Sequence, residues 1–349
     1  PLSRCLRFTD PYELIACGQV DAVVIATPHF SHAPLGVAAL NEGLHVLIEK
    51  PIAVQKVDAQ RLLAAHTNQD QAFATVYNQR THARYVKVKH MISSGELGRI
   101  QRIAWTTTDW FRTETYYKSS SWRATWAGEG GGVLVNQGSH QLDLITWLFG
   151  MPASVRAFCR IGAYHDIEVE DAVTAYLTFK DGFHCVLTLS TGEAPGINRL
   201  EIAADNGLLV LDGNHLQWQR NQTPAREFSS TSNDGFQKPS IEKKSYHFTE
   251  TENEHTLILQ NFVDAVLYNE PLIAPARHCL ASVELANAMI YSHFNDETVE
   301  LPLDAAAYQQ FLSARIENSQ TKQPSSPADH HLRPQPAPKP ATNSSRRQA

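Results

Sequence analysis

Cysteine is scarce in this chain, and what there is shows no pairing pattern. The five cysteines (Cys5, Cys17, Cys159, Cys185 and Cys279) are odd in number and form no C-x-x-C. That argues against a disulfide framework or a structural zinc and suits a reducing, cytoplasmic compartment. Basic charge is not in excess either, since 30 Lys and Arg against 36 Asp and Glu leave a formal net charge of -6. Without a positive field, a nucleic-acid partner is not expected. No apolar run approaches the ~20 residues of a membrane span, so no membrane partner is expected. The first ten residues do not read as a signal peptide, so none is expected there. Two chemical signatures are also absent: a G-x-S-x-G nucleophile elbow, and any His/Cys/carboxylate spacing that argues for a metal.

What is present points to an α/β protein. A length of 349 residues suits about two domains with sizeable cores. The first third alternates short apolar strands with helical stretches, as parallel βαβ units do. Strands are expected at 22–26, 45–49 and 72–78, and helices at 12–16, 32–42, 54–69 and 85–94. Asp10 and Pro11 start the first helix, and the apolar face of 54–69 falls on Val57, Leu62, Leu63 and Ala65. Beyond Ile100, after a helix at 139–149, short strands follow at 155–161, 172–179, 184–189, 198–203, 208–211 and 216–219. Turn signals between them, such as Asp205-Asn206-Gly207, predict a largely antiparallel sheet. A later helix is expected at 280–294. From Asn318 the chain is rich in Pro, Ser, Gln and Lys, and is expected to be disordered.

The most informative tripeptide is Glu49-Lys50-Pro51, directly after an apolar strand. Open α/β sheets bind ligands at the carboxyl ends of their strands, and the proline stops the strand there. Lys50 is thus placed to take a proton from a hydroxyl, provided burial lowers its pKa; the alternative is a lysine that reaches out to water. A second constellation runs through Gly128-Glu129-Gly130-Gly131-Gly132 to Asn136 and His140, which are four apart and share a helix face if the helix has begun. The glycines permit close backbone approach, while Gly128-x-Gly130 fails as a nucleotide loop because no strand leads into it. Between the two lies a cluster of Trp105, Trp110, Phe111, Arg112, Tyr116, Tyr117, Trp122, Arg123 and Trp126. It reads as a wall for a sugar ring, or equally as core or an oligomer interface. Thr27, Pro28, His29 and His32 turn from a strand end into a helix, where backbone donors can meet a cofactor; both histidines also fit an ordinary surface. Asn78 and Gln79 stand at another strand end, to reach a nicotinamide or to cap the next helix.

Taken together, A-T-P-x-x-x-H, E-K-P, N-Q-R and G-E-G-G-G-V-L-x-N-Q-x-x-H-Q-x-D-L resemble the glucose-fructose oxidoreductase / inositol dehydrogenase / MocA family. The resemblance covers roughly residues 8–315. It implies an amino-terminal Rossmann domain at 1–98 and an α/β domain at 99–315 with a large open, mainly antiparallel sheet, leaving 316–349 as a tail. It further implies NAD or NADP chemistry on sugars, cyclitols or related polyols, and a homo-oligomer (dimer or tetramer) built through the open sheet. By the resemblance, Lys50 matches a catalytic lysine and His140 a catalytic acid/base or hydroxyl binder. Asn136 falls where several members carry aspartate. Thr27, Pro28, His29, His32, Glu49, Lys50, Asn78 and Gln79 would line the cofactor. Lys50, Tyr117, Trp122, Arg123, Asn136 and His140 would line the substrate. The segment 122–132 and Thr191-Gly192-Glu193 are similar to a subgroup with glycoside and anhydrosugar dehydrogenases, which implies oxidation of a ring secondary hydroxyl such as C3.

The chain departs from the family at its start, for no strand and glycine-rich turn precede residue 22. An amino-terminal truncation is therefore expected, with an open sheet edge and weakened cofactor binding. Two competing readings follow: a glycoside-cleaving enzyme that uses NAD as a transient relay, and a catalytically silent binding or assembly subunit.

Overall fold

Residues 5–249 and 253–319 are described by a computed structural model. Helix α1 (Pro11–Ile15) starts at Asp10, whose side chain accepts from the Tyr12 amide. Three parallel strands follow, β1 (Ala22–Ile25), β2 (His45–Ile48) and β3 (Phe73–Thr75), paired in that order. Helices α2 (His32–Asn41), α3 (Lys56–Ala65) and α4 (Ala83–Ser93) succeed the three strands in turn. Among the described residues the outer edge of β1 has no ladder partner, and Val24 is 55 % exposed on one face of that sheet.

The buried side of α3 differs from the sequence expectation. It is formed by Lys56, Ala59 and Leu62, while Val57, Leu63 and Ala65 are only half-buried. Lys56 is accepted inside because its ammonium donates to Glu284 Oε1 (2.8 Å) and to the Leu303 carbonyl (2.6 Å). A buried lysine with a carboxylate and a carbonyl partner escapes most of the penalty that hydropathy alone would assign it. The strand expected at 72–78 is also shorter, because the chain turns into a single 3₁₀ turn at Asn78–Thr81.

β4 (Ile100–Thr107) opens the second sheet, and α5 (Glu114–Lys118) and α6 (Ser139–Phe149) follow it. Then come β5 (Ser154–Ile161), β6 (Glu170–Thr178), β7 (His184–Ser190), β8 (Asn198–Ala204), β9 (Gly207–Asp212) and β10 (His215–Asn221). Helix α7 (Ala225–Thr231), β11 (Ile241–His247), α8 (Glu254–Tyr268), α9 (Ala276–Asn295), β12 (Val299–Glu300) and α10 (Ala305–Glu317) complete the order. The nine strands lie in the order β11-β10-β9-β8-β4-β7-β6-β5-β12. Every neighbouring pair is antiparallel except β4 with β7, so the sheet is mixed at its centre. Period-two burial turns Ile103, Trp105 and Leu187 inward, under α6 and α9. On the other face Phe158, Tyr176 and Val186 are exposed.

Helix α9 joins the two cores. Its first half gives Ala276, Cys279 and Val283 to the core of the three-stranded sheet. Its second half gives Leu285, Met289 and Ile290 to the large core. Helix α8 covers the opposite face of the small sheet, with Ile258 and Phe262 on Leu47 and Ala74. Of the expected disordered tail, residues 316 and 317 close α10, and 320–349 lie outside the described residues. No helix among the described residues is long and apolar enough to cross a membrane.

Candidate active site

The carboxyl end of β2 delivers Lys50 to the glycine-rich segment of the second unit. The Lys50–Pro51 peptide bond is cis. Lys50 Nζ donates to the Asn136 carbonyl (3.0 Å) and to Asn136 Oδ1 (2.9 Å). The Asn136 amide in turn donates to Glu129 Oε1 (2.5 Å), and Glu129 Oε2 accepts from the Ala124 amide (2.6 Å). Lysine, amide and carboxylate therefore form one chain across the crevice. Burial lowers the Lys50 pKa to about 8, against the opposing charges of Glu49 and Glu129. Glu129 is itself buried, and burial raises its carboxyl above the ordinary range.

Glycines make this approach possible at two positions. A Cβ on Gly130 would come within 2.1 Å of Val54, across the crevice, and its φ is +78°. A Cβ on Gly132 would sit 1.9 Å from the Glu170 carbonyl oxygen. Glu170 clamps this turn, because its Oε1 accepts from the Gly132 (2.8 Å) and Leu134 (3.1 Å) amides. Burial pushes the Glu170 carboxyl up to about 7. Gly132→Ala must therefore move the backbone, and a loss of roughly 1–3 kcal/mol or more is expected in urea titration. A midpoint equal to the parent's would show that the turn has slack.

The imidazoles of the site are uncharged near neutrality. Asn136 lies in the turn before α6, which begins at Ser139, so it and His140 do not share a helix face; His140 has a pKa well below the usual value through burial and the nearby Lys50 charge. Its Nδ1 is buried without a partner, and its ring meets Tyr77 edge-on at 6.0 Å. His29 is lowered to about 3 by burial; its Nδ1 faces the Glu129 carbonyl at 3.3 Å, and its ring meets Trp122 at 5.4 Å. His32 is fully buried, with Nδ1 2.8 Å from the Pro51 carbonyl and Nε2 2.7 Å from that of Thr27. A neutral ring can donate to only one of these carbonyls, but both nitrogens are closed off by main chain, so His32 braces the turn after Lys50. Thr27 Oγ1 accepts from Ser31, and Pro28 precedes the short turn that carries His29. Glu49 Oε2 accepts from the Lys50 amide (3.1 Å).

The aromatic cluster divides. Trp105, Tyr117 and Trp126 are core residues, and the Tyr117 hydroxyl is paired with Thr191 Oγ1 at 2.8 Å. Tyr117, expected at the substrate, thus gives its polar end to the sheet, and burial raises its pKa. Its neighbour Tyr116 occupies the site, its hydroxyl accepting from Arg123 Nη1 (2.8 Å) and Gln137 Nε2 (3.1 Å). Arg123 lies 4.7 Å from both the Tyr116 and Trp122 ring centroids. Asn78 and Gln79, at the mouth of β3, each bury a side-chain oxygen without a partner. Asn78 Nδ2 donates to Glu254 Oε2 (2.9 Å). Two residues that the sequence reading placed in these segments, Glu129 and Tyr116, were not among the expected site residues. A carboxylate inside a run of four glycines was the available signal for Glu129.

A Rossmann-type parallel sheet whose strand end feeds a lysine into a second α/β unit defines the class: a two-unit oxidoreductase fold. The chain belongs to the GFO/IDH/MocA oxidoreductase family. Residues 4–77 match the oxidoreductase family, NAD-binding Rossmann fold, and residues 85–210 match the GFO/IDH/MocA C-terminal domain. The uncharacterized oxidoreductase YdgJ of Escherichia coli is 30% identical over 147 residues, covering 42% of this chain and 41% of that protein. Myo-inositol 2-dehydrogenase of Thermotoga maritima is 25% identical over 213 residues, 59% of this chain and 60% of that protein. The chain thus spans about half the length of these curated relatives. Among solved structures, the WlbA dehydrogenase from Bordetella pertussis, in complex with NADH and UDP-GlcNAcA, superposes with a TM-score of 0.70. It is 27% identical, with 85% of this chain and 84% of that one covered.

Proposed function

We propose that this protein is an NAD(P)-dependent dehydrogenase that oxidises a ring secondary hydroxyl of a sugar, glycoside or cyclitol, with Lys50 as the proton acceptor. The observation that carries the reading is the pair of hydrogen bonds from Lys50 Nζ to Asn136. A neutral amine has two N–H donors and one lone pair. With both donors held by Asn136, the remaining tetrahedral position is the lone pair, free to take a hydroxyl proton. A pKa of about 8 keeps a useful fraction of the amine neutral near physiological pH. Oxidised nicotinamide, when bound, accepts the hydride that leaves the carbinol carbon. Asn78 Oδ1 and Gln79 Oε1, buried acceptors without partners, suit the two N–H groups of its carboxamide. His140, neutral, has a nitrogen available to hydrogen-bond the substrate hydroxyl, and Trp122, Arg123 and Tyr116 wall the sugar.

Asn136 stands between two charges, and it hands the lysine's orientation on to Glu129. An amide supplies the acceptor that a carboxylate would supply, without fixing the amine as an ammonium. The test is formation of reduced nicotinamide, followed by absorbance, with a panel of glycosides and cyclitols and both NAD and NADP. Turnover with net cofactor reduction is expected. Release of free sugar without net reduction would point to a redox-relay lyase instead. In Glu129→Gln a negative charge that raises the Lys50 pKa is gone, so the alkaline rise of kcat/KM should move below pH 8. A profile unmoved by Glu129→Gln removes Glu129 from the relay.

A further inference from the structure

We propose that a phosphate-bearing anion binds in the cleft between α4, α6 and the start of α9, away from the Lys50 crevice. The cleft encloses about 460 Å³ and is lined by Arg80, Lys89, Trp147, Arg277 and His278, with no carboxylate among its lining residues. That volume lies within the range of small-molecule sites. Along α6, Trp147 follows His140 by seven residues, or about 10 Å of helix, so the two sites are separate.

The charge balance makes this cleft unusual. Arg80 is fully buried and already satisfied: Nε donates to Asp143 Oδ2 (2.8 Å) and Nη2 to Asp143 Oδ1 (2.6 Å), while Nη1 reaches the Ile273 carbonyl (3.2 Å). Asp143 is thereby spent. Lys89 and Arg277 have no ion-pair partner among the described residues. Lys89 is held at the wall by donating to the Trp147 carbonyl (2.5 Å), which leaves two of its N–H groups for another acceptor. Both the Lys89 ammonium and the Arg80 guanidinium lie 5.7 Å from the Trp147 ring centroid.

Helix α9 adds to the imbalance rather than relieving it. Twenty residues long, it starts at Pro275 with no side-chain cap and no acidic residue in its first turn. Arg277 and His278 occupy that turn, where the helix dipole favours anions. The groups feel each other. His278 is lowered by burial and by Arg80, Arg277 and Lys89, and Lys89 by burial and Arg80. Positive groups gathered without a counter-charge raise the free energy of the empty cleft, and an anion bound there stabilises the folded state. A phosphate suits the place better than a monovalent carboxylate, since Lys89 and Arg277 both line it and its oxygens can serve both. The space left beside Trp147 would admit a sugar or a base attached to that phosphate.

The experiment is titration calorimetry with inorganic phosphate at fixed ionic strength, alongside a sugar phosphate and AMP. Saturable phosphate binding is expected, weakened at least tenfold in the Lys89→Gln/Arg277→Gln double variant and unchanged in Arg226→Gln, a control on α7 that does not line this cleft. Tighter binding of the sugar phosphate or AMP would assign the space beside Trp147 to an organic group; equal affinities would make the phosphate itself the ligand. A thermal melt of the double variant checks that it is folded, and both side chains reach the surface. Absence of saturable binding, affinity untouched by the double substitution, or binding abolished by physiological chloride would each overturn the proposal.

Discussion

Lys50→Met should lower kcat/KM for hydroxyl oxidation by on the order of 10²–10⁴, the range that a positioned general base contributes. The parent's rate should rise with pH and level off above about 8, because the neutral amine is the active form and burial has brought its pKa there. Lys50→Arg should not rescue activity. A guanidinium keeps its charge at all accessible pH and cannot take the proton. A merely structural lysine would behave differently, for arginine would restore much of the rate and the alkaline limb would be absent. Steady-state kinetics from pH 6 to 10 on the three proteins distinguishes the cases.

Asp143→Ala should cost about 3–5 kcal/mol of folding free energy, read from urea denaturation. Arg80 and Asp143 are each only 1 % exposed, and their pairing is bidentate. Removing the carboxylate leaves a guanidinium buried with a single carbonyl partner, which is far costlier than removing the pair. The double substitution Arg80→Met/Asp143→Leu should therefore lie closer to the parent than either single one. A loss under about 1 kcal/mol for Asp143→Ala would mean that water reaches the arginine.

Much of this architecture could be read from residue patterns, because its elements announce themselves locally. The apolar runs at Val23–Ile25 and Val46–Ile48, punctuated by Asp10, Gly43 and Pro51, give α1, β1, α2 and β2 nearly to the residue, while α3 is shorter than expected. What stayed hidden depends on long-range partners. β4 is not among the expected strands although Ile103, Trp105 and Thr107 alternate along it, and nothing local says that it lies mid-sheet and parallel to β7. α8 is hard to see in the sequence because Leu259, Val263 and Leu267 are apolar on its outer side, which blurs the helical period. Lys56 hid inside α3, since a lysine does not announce Glu284, more than two hundred positions away. In the candidate site the fold brings E-K-P and N-Q-x-x-H together through Lys50 and Asn136, a contact that spacing does not reveal. The choice of Tyr116 over Tyr117 turns on which of two adjacent rings faces the sheet, and Thr191 decides it.

Because α9 threads through both hydrophobic interiors, the two halves share one spine. A clam-shell swing wide enough to open the crevice would pull Cys279 and Val283, or else Met289 and Ile290, out of their packing. Ligand exchange that keeps this packing intact must proceed without such a swing. Heat should likewise melt the protein in one cooperative step.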